Sequence, residues 1–160
     1  MVYLEKHPLT QGNAARVAHF LIVLGLVLAT LACTPAFNWR DVAFEGLPVA
    51  ALLPCKPDRG ERTVPLAGAP RQMVMAGCEA GGATFTVAVV NVGSAAQGVL
   101  VKAELAAVNK ATQSKYFAHG GVVVQASVYG TPQAERDGPG ALSTQAVDTF
   151  FTGIKVAGLQ

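Results

Sequence analysis

Residues Thr84–Asn91 read TFTVAVVN, and their strict alternation fixes a β-strand with Phe85, Val87 and Val89 on one face and Thr84, Thr86, Ala88 and Val90 on the other. Just before it, Gly81-Gly82 supplies the turn of a two-strand hairpin. The partner is Gln72–Cys78, which puts Met73, Met75 and Gly77 on one side and Gln72, Val74, Ala76 and Cys78 on the other. Further upstream, Arg62–Leu66 alternates weakly, Pro54–Gly60 has turn chemistry, and Pro48 and Pro54 bracket a short apolar strand, Val49–Leu53.

Downstream of Ser94 the period changes. From Ala95 to Ala111 the apolar residues Val101, Leu105, Val108 and Ala111 recur at helical spacing. A loop through Ala118-His119-Gly120 leads to Gly121–Tyr129 (GVVVQASVY), a β-branched strand with Val122, Val124, Ala126 and Val128 sharing one face. Gly130–Gly140 is rich in glycine, proline and charge and reads as an exposed loop. Ser143 or Thr144 then caps a second helix whose residues Val147, Phe150, Phe151 and Ile154 follow i, i+3, i+4, i+7; it stops near Gly153, with a last short strand from Lys155. Strands first and helices later predict an α+β fold, an antiparallel sheet with two helices packed on it.

The N-terminal part has a different character. Phe20–Cys33 (FLIVLGLVLATLAC) is an apolar run preceded by Lys6, Arg16 and His19, with Glu5 the only acid. A basic flank, a short apolar stretch and a small-residue exit describe a secretory signal. Its end, Ala29-Thr30-Leu31-Ala32-Cys33, resembles the lipobox of bacterial lipoproteins, with Thr30 where leucine is commonest and Leu31 where a smaller residue is usual. The resemblance implies a signal peptide over 1–32, a lipidated Cys33, a tether over 33–38 and a single domain over 39–160. Val17–Phe37 also offers 21 residues, close to the ~20 that span a bilayer, so an uncleaved signal anchor is the alternative. A buried cytosolic helix is a third reading, disfavoured because the run has no polar face. The positive-inside bias leaves the first 19 residues in the cytoplasm.

Cysteine usage fits export. With Cys33 lipidated, Cys55 and Cys78 remain, an even number in an oxidising compartment. A bridge between them closes a loop of about 24 residues and contributes roughly 3 kcal/mol. Two free thiols or a metal site are the alternatives. Neither cysteine has a CxxC partner, and His119 is isolated, so no metal is expected.

Three segments together resemble small bacterial envelope proteins of the PsbP-like type. They are Leu52-Leu53-Pro54-Cys55-Lys56-Pro57, the G-x-x-F-x-V pattern Gly82–Val87, and Asp148–Ile154 (DTFFTGI). In that family a strand ends in an F-P-x-x-P turn, with Leu53 here in the place of phenylalanine. The chain is also similar to proteobacterial lipoproteins of uncharacterised role, through its LPCKPDR segment and the strand Val123–Gly130. The likeness covers most of residues 39–155 and implies a sandwich of sheet and helices, but no activity. The stretch between Lys110 and Phe117 is short by comparison, which implies a reduced sheet with an exposed edge. Thr34, not aspartate, follows Cys33, and by resemblance this favours the outer membrane.

Charge narrows the function classes. The chain carries 12 Lys+Arg and 10 Asp+Glu, and all but Lys6, Arg16 and Glu5 follow Cys33, so the exported part is near neutral. There is no basic run for nucleic acid. Ala80-Gly81-Gly82-Ala83 lacks the lysine and helix of a phosphate loop, and no G-x-S-x-G elbow exists. Asp41 and Glu45 read as surface acids, and Phe37, Trp39 and Phe44 as packing for the first strand, with an aromatic contact to the membrane close to the lipid site as the alternative. Catalytic, cofactor and metal residues are therefore expected to be none. The leading expectation is a non-catalytic, membrane-anchored envelope lipoprotein that binds or assists another envelope component, through a sheet edge or the Gly130–Gly140 loop. Two alternatives stand beside it. One is a hydrolase using His119 with Ser114, Ser127, Ser143 or Asp148; the other is a small apolar-ligand carrier lined by Met73, Met75 and Phe85. Intact mass of protein taken from membranes separates cleavage from anchoring: loss of residues 1–32 with a gain of three acyl chains is expected, whereas a full-length, unacylated chain means a signal anchor.

Overall fold

In the computed structural model the described residues are 37–130 and 142–159, together with Arg16 and His19. The proposed lipidation site Cys33, the apolar run before it and most of the Gly130–Gly140 loop lie outside them. The described chain is α+β. It runs β1 (Arg40–Ala43), β2 (Val49–Leu53), β3 (Asp58–Leu66), β4 (Ala69–Ala80), β5 (Ala83–Asn91), α1 (Ala95–Val108), β6 (Gln113–His119), β7 (Val122–Tyr129), α2 (Thr144–Thr152) and β8 (Lys155–Val156).

The strands form two antiparallel sheets, β1-β2-β8 and β3-β4-β5-β7-β6. Period-2 alternation sorts the larger sheet into two faces. Phe85, Val87 and Val89 of β5 share one core with Val122, Val124, Ala126 and Val128 of β7. That core is closed by the smaller sheet, through Val42, Val49, Ala51 and Leu53, and by Val147, Phe150 and Phe151 of α2. Phe85 and Phe150 meet edge to face with ring centres 5.2 Å apart, an arrangement that adds to simple burial. On the opposite face Met73, Val90, Val92 and Val123 pack against Val101 and Leu105 of α1.

Ends of the elements follow local chemistry. Ser94 Oγ accepts from the Gln97 amide and Ser143 Oγ from the Ala146 amide, so each helix starts on a serine cap. Gly81 and Gly82 both take positive φ in the β4–β5 turn, as the hairpin reading requires. Gly153 ends α2 where it crosses β2; a Cβ there would stand 2.4 Å from that of Leu52. Only glycine permits that approach, and the Leu52 amide donates to the Gly153 carbonyl across it.

Several expectations are corrected. The turn after β2 is shorter than Pro54–Gly60, because Asp58 to Gly60 already pair with Met75 to Gly77. Residues 113–119, read as a short connection and loop, form β6, which pairs with β7 along its whole length. This strand fills the place where a reduced sheet was expected, and the free edges of the larger sheet are β3 and β6. Helix α1 ends at Val108 rather than Ala111, since Asn109 turns to extended backbone and its side-chain oxygen takes the Ala111 amide. The buried stripe of α1 is Gly98, Val101 and Leu105, while Val108 is 68% exposed.

Cys55 and Cys78 are joined by a disulfide with Cα atoms 5.9 Å apart. The bond ties the chain just after β2 to β4, linking the two sheets covalently. Replacing both cysteines by serine is expected to lower unfolding stability by about 3 kcal/mol, read from denaturant titration of oxidised wild type and variant.

Candidate functional site

Helix α1 is 14 residues long, about 21 Å, and it covers only part of the sheet face on which it lies. Among the described residues nothing covers that face beyond the C-terminal end of the helix. An open groove of about 310 Å³ lies there, floored by Met73, Met75, Ala88 and Leu105. Its rim carries Arg62, Val108, Asn109, Lys110, Gln125 and Tyr129. A second hollow of about 390 Å³ continues toward Gly60 and Gly77 and shares Arg62, Met75 and Thr86 with the first. Together they make one trough across β3, β4 and β5.

A hydrogen-bonded cluster stands behind the polar rim. The Asn109 amide donates to the hydroxyl of Ser114 and, at 2.7 Å, to that of Tyr116. Ser114 and Ser127 hydroxyls meet at 2.9 Å, and the Gln125 amide donates to Ser127 at 3.2 Å. Ser127 is fully buried, the one polar side chain so placed among the described residues. The register explains the grouping, because Ser114 pairs with Ser127 and Tyr116 with Gln125 across β6 and β7. The cluster thus fixes Asn109 and Gln125, the two amides that face the groove, before any ligand arrives.

The outer side of α1 is unusual for a surface helix. Val99 and Leu100 are 66% and 62% exposed. Polar residues are drawn to the helix flanks: Gln97 accepts from the Arg71 guanidinium at 2.7 Å and Glu104 from the Ala67 amide at 2.8 Å. These bonds hold the β3–β4 hairpin to the helix and leave Ala96, Val99, Leu100, Ala103 and Ala107 facing outward. Among the described residues no helix is long and apolar enough to cross a membrane.

The sequence-derived candidates are distributed as follows. Met73 and Met75 do line a groove beside α1, but Phe85 is buried in the core on the other side of the sheet, so it cannot share their pocket. His119 sits exposed at the end of β6, where its ring packs beside Gly158. Ser114 lies five residues back along the same strand, about 17 Å away by strand rise, and Ser127 is its cross-strand neighbour. The ladder therefore holds His119 apart from both serines. Among the described residues no three His, Cys, Asp or Glu side chains gather as a metal site. Sequence reading missed Asn109, Gln125 and Ser127 as a unit, although Gln125 and Ser127 are the only polar residues on one face of an apolar strand.

Removing hydroxyls from the cluster tests whether it acts as a unit. Ser127→Ala is expected to cost about 1 kcal/mol of stability. Ser114→Ala combined with Ser127→Ala should cost less than the two single changes together, as a double-mutant cycle in denaturant reads it.

Comparison with family models, with curated proteins and with solved structures found no match to this chain.

Proposed function

We propose that the chain is a lipid-anchored binding protein of a bacterial envelope, exported by its N-terminal signal and held by acylated Cys33, with residues 39–160 facing the periplasm. The observation that carries the binding role is the open trough on the α1 side of the sheet, whose amides are fixed from behind by a half-buried hydroxyl cluster built on the buried Ser127. Apolar floor, a few placed polar groups and a rigid support are what a binding site needs. The Cys55–Cys78 bond supports an oxidising compartment, and the apolar run ending at Cys33 supports the anchor. Resemblance to PsbP-like envelope proteins is consistent with an accessory role and adds nothing about the ligand.

A carrier of small apolar molecules is the second reading, favoured by Met73 and Met75 on the groove floor. Methionine side chains adapt to irregular apolar shapes and suit such a floor. The two readings share one site and differ in whether the occupant is part of a macromolecule.

Cys33→Ser provides the test of location. The variant is expected to lose both the acyl chains and the cleavage that depends on them, so its intact mass is that of the full-length chain with residues 1–32 retained, its Cys55 and Cys78 thiols reacting with an alkylating agent only after reduction. A variant whose mass differs from that of the wild type by the substitution alone would mean an uncleaved anchor, and thiols open to alkylation without reduction would mean a cytoplasmic domain.

A further inference from the structure

The trough has a chemical polarity of its own. Its floor is apolar, and along β4 it extends from Met73 to Gly77, about 14 Å by strand rise. The cations of the first groove, Arg62 and Lys110, stand on its rim, on β3 and just beyond α1 respectively, and among the described residues no acid lines that groove. Asn109 and Gln125 lie on the same rim, held by Ser114, Tyr116 and Ser127. Val108, 68% exposed, forms the lip where the groove opens onto the apolar outer side of α1. The second hollow carries Asp58 and Glu61 as well as Arg59 and Arg62, so the attraction for an anion is concentrated at the Lys110 end.

From this arrangement we propose that the groove binds a single-chain amphiphile, its acyl chain along Met73, Met75 and Ala88 and its anionic head between Arg62 and Lys110. The inference rests on the reading of this trough as a binding site and names its ligand class. Charge complementarity selects the anion: Asn109 spends both amide hydrogens on Ser114 and Tyr116, but a bare hydrocarbon would leave Arg62 and Lys110 without a partner at the groove, whereas a carboxylate or phosphate head accepts from both and from the second Nε2 hydrogen of Gln125. Methionines and alanine give the chain a floor without demanding one shape. A fatty acid and a lysophospholipid share this chemistry and differ in head size, and the open rim admits either.

The test uses the full chain in phosphatidylcholine nanodiscs and a photoactivatable twelve-carbon carboxylate carrying a diazirine on its chain. After illumination, adducts are mapped by peptide mass. Label is expected on the peptides holding Met73–Met75 and Leu105–Lys110, and Arg62→Glu with Lys110→Glu should reduce it at least fivefold. Both side chains are surface residues, so the double variant is expected to fold, which its intact disulfide and circular dichroism verify. The matching diazirine alcohol should label those peptides severalfold less. A lysophosphatidic probe that labels the same peptides more strongly assigns the site to lysolipids, and a weaker one assigns it to fatty acids. Label spread evenly over the outer side of α1, or unchanged by charge reversal, overturns the proposal. Failure here leaves the Cys33→Ser result untouched, and a chain found without an acyl anchor leaves this labelling pattern untouched.

Discussion

β5 and β7 lie side by side inside the larger sheet, so their register constrains everything around them. Val87 faces Ala126 and Val89 faces Val124 in that ladder. A slip of one residue would turn Gln125 and Ser127 into the core that holds Phe85 and Phe150, and turn valines toward the groove. The cost of burying two unpaired polar groups enforces the observed pairing. The same alternation that closes one core therefore delivers a polar cluster to the other face, and folding and site are set by a single choice of register.

Coverage of the two faces is unequal. The face toward the smaller sheet is sealed by strands and by α2, with Phe150 at its centre. Among the described residues the other carries α1 alone, which is too short to cover a five-stranded sheet. The hairpin β3–β4 is drawn to α1 by Arg71–Gln97 and Ala67–Glu104 contacts, and this closes one end of the face while leaving the trough at the other. The open surface is thus a consequence of helix length and of where the polar flank of the helix is engaged.

Much of this was legible from residues alone. The two faces of β4, β5 and β7, the glycine turn, the serine cap of α2 and the last strand all follow from alternation, positive-φ demand and capping, which are local rules. The disulfide was legible from cysteine parity. β6 was not, because QSKYFAH has no clean alternation and its partners come from the far side of the β6–β7 turn; pairing with a strong neighbour made it a strand. The end of α1 was misplaced because Val108 and Ala111 continue the spacing, while the Asn109 side chain captures the Ala111 amide and stops it. As for the site, its parts are drawn from β3, β4, β5, β7 and the end of α1, and no local pattern joins them. Phe85 was assigned to the wrong side of the sheet relative to the methionines because pairing parity between strands, unlike parity within one, depends on the turn.

The disulfide also determines how the domain carries mechanical load. A pull entering at Phe37 first meets β1, held to β2 by four residue pairs, and then reaches Cys55. There the covalent bond diverts tension into Cys78 and the body of the sheet. Residues 56–77 lie in a closed covalent loop off that path, and they include Arg62, Met73 and Met75. Tension applied from the N-terminal side of Phe37 therefore leaves this wall of the groove slack.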